Sequence, residues 1–189
     1  EWGLSGKPVS VKISYYFDVY KGDDGYVSVP TKSESIDTYA LRLNDMVEAV
    51  KKKTGKPKVN LVAFSMGGLV ARKYIQIFGD KNVGKLITIG APNQGIVGRV
   101  SGLCPVLGEG KECIDMDENS IFMKKLNDKE NQPKDVGIYN IIGKGCPVKG
   151  KDGDGVVLAE KASLKGVAGA EEFFVNGSCN GLVPQFHTE

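Results

Sequence analysis

Ser65 stands in the middle of the stretch Asn60 to Arg72, NLVAFSMGGLVAR, with Ala63 two residues before it, Gly67 two residues after it, and Gly68 next. The spacing A-x-S-x-G is one methyl group away from the G-x-S-x-G pattern of a serine on a sharp strand-to-helix turn. Such a turn crowds the backbone, so its flanking positions have to be small. It also lifts the hydroxyl clear of the chain, above the carboxyl ends of the strands, where open sheets place their ligands. A serine held this way suits attack on an acyl carbon. The N–H of Met66, at the start of the following helix, then points toward the oxygen on which negative charge develops. Three small positions alone would fit any tight turn; lying between a buried strand and a helix, they point to a nucleophile.

A serine hydroxyl is a weak nucleophile at neutral pH and needs a base within hydrogen-bond reach. The chain has a single histidine, His187, in the segment VPQFHTE after the last expected strand. In the order serine, acid, histidine, the acid belongs in the loop after the strand Val136–Gly143, where Asp152 and Asp154 both lie. Asp154, next to Gly155-Val156-Val157, is the favoured acid. Asp152 remains the alternative, its competing role being a solvated acidic turn. The expected chemistry follows: His187 takes the Ser65 proton, Asp154 holds the imidazole in its useful tautomer, and water releases the acyl group.

The four cysteines, Cys104, Cys113, Cys146 and Cys179, show no CxxC spacing, and one histidine cannot complete a usual zinc set. No metal and no cofactor is expected. Two disulfides are the expected use of the cysteines, with buried free thiols as the alternative. Cys146 precedes Asp154 by the same eight residues that separate Cys179 from His187. A Cys146–Cys179 bond would therefore tie the acid loop to the base loop near their roots, leaving Cys104 and Cys113 to close a small loop. Disulfides imply secretion or a hyperthermophilic cell. Arg42, Arg72 and Arg99 are the only arginines among 25 basic residues, and this lysine-rich surface points the same way.

The elements that must position these residues are legible in outline. Val9–Phe17 reads as a strand and residues 21–31 as a Gly/Asp/Pro-marked loop. From about Ser33 to Lys53 the apolar residues recur with helical spacing, ended by Thr54-Gly55 and Pro57. Lys58–Phe64 reads as a strand buried on both faces, and Met66–Phe78 as a helix. Lys85–Gly90, Val136–Gly143 and Glu171–Val175 read as further strands. This alternation describes an α/β fold with a mostly parallel sheet and helices on both faces. Residues 1–189 are expected to form one domain, interrupted at about 95–133 by a long insertion with a short helix near Ser120–Leu126. A net charge of +2, with no clustered basic face, gives no footprint for nucleic acid. No apolar run approaches the roughly 18 residues that span a bilayer.

Together, NLVAFSMGGLVARKYI, KLITIGAPNQG, DMDENSIFMKKLND and DGDGVV resemble the lipase/esterase branch of the α/β-hydrolases, from about Val9 to His187. The relatives include bacterial triacylglycerol lipases and archaeal lipase-like proteins. The resemblance implies Ser65, Asp154 and His187 as a triad, the Met66 N–H as an oxyanion donor, and a cap or lid at 95–133. It implies carboxylic esters, including lipid esters, as substrates, with transient contact to a lipid surface. Phe64 and Phe122 are candidates for lining the acyl site, with core filling as the alternative for the first and a docked surface helix for the second. Three departures stand out. Ala63-Phe64 replaces the common Gly-His before the serine, the strand carrying the family's His-Gly oxyanion loop is missing, and the chain stops two residues after His187. The expectation is therefore a fragment, or a chain completed by another segment or subunit. An acyltransferase or amidase with the same triad, and a non-catalytic binding protein of the same fold, are the rival readings.

Overall fold

The computed structural model describes residues 10–15, 17–22, 25–30, 33–97 and 110–179. Contacts divide the chain into two units, residues 1–32 and residues 33–189. In the first unit, β1 (Phe17–Gly22) pairs antiparallel with β2 (Gly25–Pro30), Phe17 opposite Pro30 and Gly22 opposite Gly25. Both sequence expectations here are corrected. Residues 10–15 carry no strand, and the described β1 starts at Phe17, the last residue of the range read as Val9–Phe17. The loop read at 21–31 contains a strand. Aromatic and β-branched residues mark strand preference, but a strand forms where a partner offers its hydrogen bonds. Tyr26–Pro30 supplies that partner, and Gly22-Asp23-Asp24-Gly25 has the composition of a two-residue hairpin connection. Asp23 and Asp24 lie outside the described residues.

The second unit opens with α1 (Ile36–Thr54). Ser35 caps it by accepting a hydrogen bond from the Thr38 N–H at 3.2 Å, and Gly55, at φ 67°, closes it with an N–H to the Lys51 carbonyl. Then come β3 (Val59–Phe64), α2 (Met66–Phe78), β4 (Val83–Ile89), β5 (Gly137–Lys144) and β6 (Ala170–Asn176). The four strands form one parallel sheet in the order β3-β4-β5-β6. Ile36, Tyr39, Leu43 and Val47 of α1 and Leu69, Val70, Tyr74 and Ile75 of α2 build the core with Leu61, Leu86, Ile138 and Ile142 of the sheet. At about 25 cal/mol per Å² of apolar area removed from water, these side chains each contribute on the order of 2 kcal/mol.

β3 departs from the expectation of burial on both faces. Leu61 and Ala63 are buried while Asn60, Val62 and Phe64 are exposed, Val62 by 67%. Among the described residues β3 is an edge strand, which explains an alternation that its apolar run conceals.

Between β4 and β5 the chain forms α3 (Lys111–Met116), which the sequence did not announce, and α4 (Ile121–Leu126), capped by Ser120. Both dock on the helices beneath. Ser33 Oγ and Tyr39 OH donate to the buried Glu112 carboxylate, and the Ile36 N–H donates to Asp115 Oδ2 at 2.8 Å. Burial first, and then the neighbouring carboxylates Asp37 and Glu112, raise the Asp115 pKa against the lowering effect of that N–H. Among the described residues, no helix is long and apolar enough to cross a membrane.

Candidate active site

The junction of β3 and α2 is a sharp turn. Ser65 sits there at φ 51°, ψ −129°, one of two non-glycine residues with positive φ among the described residues. An L-residue held in that region costs about 1–3 kcal/mol and persists only where its surroundings enforce it. The enforcement is visible: the Ser65 N–H continues the sheet by donating to the Ile89 carbonyl at 2.8 Å, and the Ser65 carbonyl accepts the Gly68 N–H at 2.9 Å. The hydroxyl is buried and has no hydrogen-bond partner among the described residues. Met66 supplies the first N–H of α2, in the position where helices leave donors free of internal partners.

The closest approach around the serine turn is at Gly68. A Cβ there would lie 2.5 Å from the Ala91 Cβ and 3.3 Å from Thr88 Cγ2. Small residues around the serine thus serve helix-to-strand packing as well as the turn itself.

Asp154 follows β5, two strands along from Ser65, at the same carboxyl end of the sheet. Its turn is tightly built. Cys146 and Asp154 form a bridge through Cys146 N–H to the Gly153 carbonyl at 2.9 Å and Gly155 N–H to the Cys146 carbonyl at 3.0 Å. A Cβ on Gly153 would fall 2.4 Å from the Val157 carbonyl oxygen. Asp154 is 3% exposed, and its Oδ1 accepts the N–H groups of Val156 and Val157 at 2.9 and 2.7 Å. Asp152 is exposed, its Oδ1 accepting the Gly145 N–H at 2.8 Å. One carboxylate faces inward and the other secures the base of the turn.

A disulfide joins Cys146 to Cys179, with their Cα atoms 5.2 Å apart. It binds the root of the Asp154 turn to the chain leaving β6. Gly145, at φ 91°, permits the approach, since a Cβ there would meet the Gly177 carbonyl oxygen at 2.1 Å. Cys113 is also disulfide-bonded, and its expected partner Cys104 lies outside the described residues. His187 lies outside them too.

Phe64 is 45% exposed, whereas Phe122 is buried under α4 with Lys73 Nζ 5.8 Å from its ring centre. Neither lines the shallow, open cleft beside the acid turn. Its walls are Ile96, Val97, Val148, Val156, Val157 and Leu158, with Lys149 and Lys161 contributing as well. Sequence reasoning missed these aliphatic residues because nothing in their spacing distinguishes a cleft wall from core. It also gave no role to Arg72 and Asn93, although both lie in quoted motifs. Arg72 is buried, and burial lowers its pKa from 12.5 to about 10. Among the described residues no cluster of His, Cys, Asp and Glu has the makings of a metal site.

The profile of the palmitoyl protein thioesterase family matches residues 18–133, more than half of the chain. Solved structures align with it as well. Bacillus licheniformis lipase BlEst2 in its mature form is 17% identical at a TM-score of 0.61, over 79% of this chain and 69% of that one. A gene product of Listeria innocua is 16% identical at a TM-score of 0.55, over 92% and 76% respectively. Phospholipase PlaB from Legionella pneumophila is 18% identical at a TM-score of 0.51, over 68% of this chain and 34% of that one. At such identities the likeness concerns the fold. No protein of curated function matches the chain.

Proposed function

Because the chain belongs to the palmitoyl protein thioesterase family and has the α/β-hydrolase fold of lipases and esterases, we propose that it is a serine hydrolase of lipid acyl esters, with Ser65 as nucleophile, His187 as base and Asp154 as the acid behind the imidazole. The observation that carries the reading is Ser65 itself. It is a strained residue at a strand-to-helix elbow, its hydroxyl buried without a partner among the described residues. A buried donor left unbonded costs about 1–3 kcal/mol, which a purely structural serine has no reason to incur.

His187 removes the Ser65 proton as Oγ bonds to the acyl carbon, and the carbonyl electron pair moves onto oxygen facing the Met66 N–H. Collapse of this intermediate breaks the bond to the leaving group, which takes the proton from His187. Water, activated by the same imidazole, then hydrolyses the acyl-Ser65 ester. The inward-facing Asp154 fits the task of holding the imidazole, while exposed Asp152 fits that of closing the turn. The insertion at about 95–133 is read as a cap over the site. A thioester is the second substrate reading, favoured by the family match; it differs only in a better leaving group.

Mass spectrometry after treatment with a fluorophosphonate is the test. One adduct on Ser65, absent in Ser65→Ala, supports the reading; an unlabelled Ser65 in the full polypeptide overturns it. Hydrolysis of p-nitrophenyl esters and acyl thioesters of graded chain length then assigns the substrate.

A further inference from the structure

Arg72 is a buried cation held, among the described residues, entirely by neutral oxygens. Its Nη1 donates to the Asn93 carbonyl and to Asn93 Oδ1, both at 3.2 Å. Its Nη2 donates to the Leu126 carbonyl at 3.3 Å and to Asn127 Oδ1 at 2.7 Å. No carboxylate is within bonding distance among the described residues. A pKa of about 10 keeps it charged at neutral pH.

The side chain of Asn93, itself fully buried, continues the line. Its Nδ2 donates to Asn140 Oδ1 at 3.3 Å and to the Ala162 carbonyl at 2.8 Å. Asn140, also fully buried on β5, accepts in addition from Thr88 Oγ1 at 2.8 Å. Its Nδ2 donates to the Ala162 carbonyl at 2.9 Å and to Glu172 Oε1 at 3.2 Å. Glu172 on β6 is fixed in turn by Ser163 Oγ at 3.1 Å and the Leu164 N–H at 2.6 Å.

A cation stands at one end, a carboxylate at the other, and between them two carboxamides each turn oxygen toward the cation and nitrogen toward the anion. Reversing either amide would set an NH2 against the guanidinium or a carbonyl against a carboxylate, so the end charges dictate both orientations. The line starts on the helix that carries Ser65 and Met66. It crosses β4 and β5, and grips the carbonyl of Ala162 at the end of the short helix α5 (Ala159–Ala162), which directly continues the Asp154 turn. Holding these parts together needs no buried charge, since apolar packing does it at least as well. What a polarised line adds is a single permitted alignment of the elbow helix against the acid segment.

We propose that Arg72 is a positioning residue for the hydrolytic site, acting through Asn93 and Asn140 toward Glu172 to fix the elbow relative to the Asp154 turn. This rests on the serine-hydrolase reading for its catalytic readout and on hydrogen bonding alone for the line itself.

Two measurements on the full polypeptide separate those layers. First, the side-chain amide signals of Asn93 and Asn140 are followed in ¹H–¹⁵N spectra. Slow exchange in the native protein, lost in Arg72→Met, supports the line; fast exchange in the native protein overturns it, whatever Ser65 does. Second, the rate of fluorophosphonate labelling of Ser65 is measured per folded molecule, well below each melting temperature. Asn140→Asp keeps the acceptors for Thr88 and Asn93 but turns a bare oxygen toward Glu172, so labelling slows at least tenfold. Arg72→Lys keeps a cation at the head of the line and holds the rate within about threefold of native, on the scale of effects that misplaced reacting groups produce. Native-rate labelling in Asn140→Asp, or Arg72→Lys as slow as Asn140→Asp, overturns the positioning role. If Asn140→Asp does not fold, Arg72→Met carries the same test: labelling slowed at least tenfold supports the role, and native-rate labelling overturns it. An unlabelled native Ser65 defeats the hydrolase reading and with it the positioning role, while the amide spectra still decide the line.

Discussion

Gly68→Ala perturbs the elbow directly. The added Cβ would sit 2.5 Å from the Ala91 Cβ, where carbons ordinarily pack at about 3.5–4.0 Å, so helix and strand end must separate by roughly 1 Å. Ala91 has little room to yield. It is fully buried, directly after Gly90, whose N–H is bonded to the Ile141 carbonyl at 3.0 Å. The start of α2 must therefore move, and with it Ser65 and the Met66 N–H. In stability the change is modest: overpacking costs about 1–3 kcal/mol, and alanine returns up to about 1 kcal/mol of helix propensity. The net loss of about 0–2 kcal/mol lowers the melting temperature by no more than about 8 °C in a chain of this size. In reactivity the change is large, since a displacement of about 1 Å can cost on the order of 100-fold. The assay pairs thermal melts with the rate of Ser65 labelling by a fluorophosphonate. Ala91→Gly removes the opposing methyl group and leaves Thr88 Cγ2 as the nearest contact at 3.3 Å, so Gly68→Ala/Ala91→Gly should recover most of the labelling rate. Native-rate labelling in Gly68→Ala, or a double variant as slow as the single one, would refute the argument that this contact sets the elbow.

The Cys146–Cys179 bond spans 33 residues, and the chain-entropy relation gives it about 3.7 kcal/mol. Cys146→Ala/Cys179→Ala should lower the melting temperature by about 7–15 °C, and slowed labelling well below that temperature would show that the bond also fixes the Asp154 turn. Asp154→Asn should reduce esterase turnover by several orders of magnitude with little change in KM, whereas Asp152→Asn should cost stability through the Gly145 N–H and leave turnover within a few-fold; the reverse pattern would exchange their roles. Asp115 has a folded-state pKa raised above its unfolded value, so the folded state binds more protons between the two. The stability it contributes is full below the unfolded pKa and is lost as pH rises through the folded one. Urea titrations of Asp115→Asn across acidic pH should lack that component.

The sequence alone determined the β-α alternation of the second unit, with its first helix ended at Thr54-Gly55, the elbow around Ser65, the inward turn at Asp154 and the pairing of Cys146 with Cys179. These are local matters: helical periodicity, caps, small residues flanking a forced turn, and spacing along one loop are written in neighbouring positions. The tertiary structure decided what depends on distant partners. It put strands at 17–30 because Tyr26–Pro30 pairs with the preceding segment, and made β3, among the described residues, an edge strand despite its apolar run. It also gave Gly68 its close contact with Ala91, 23 positions further on. The line from Arg72 to Glu172 belongs to the same class. Each of its residues is ordinary in its own stretch of chain, and only the sheet brings a buried cation, two carboxamides and a carboxylate into one hydrogen-bonded row.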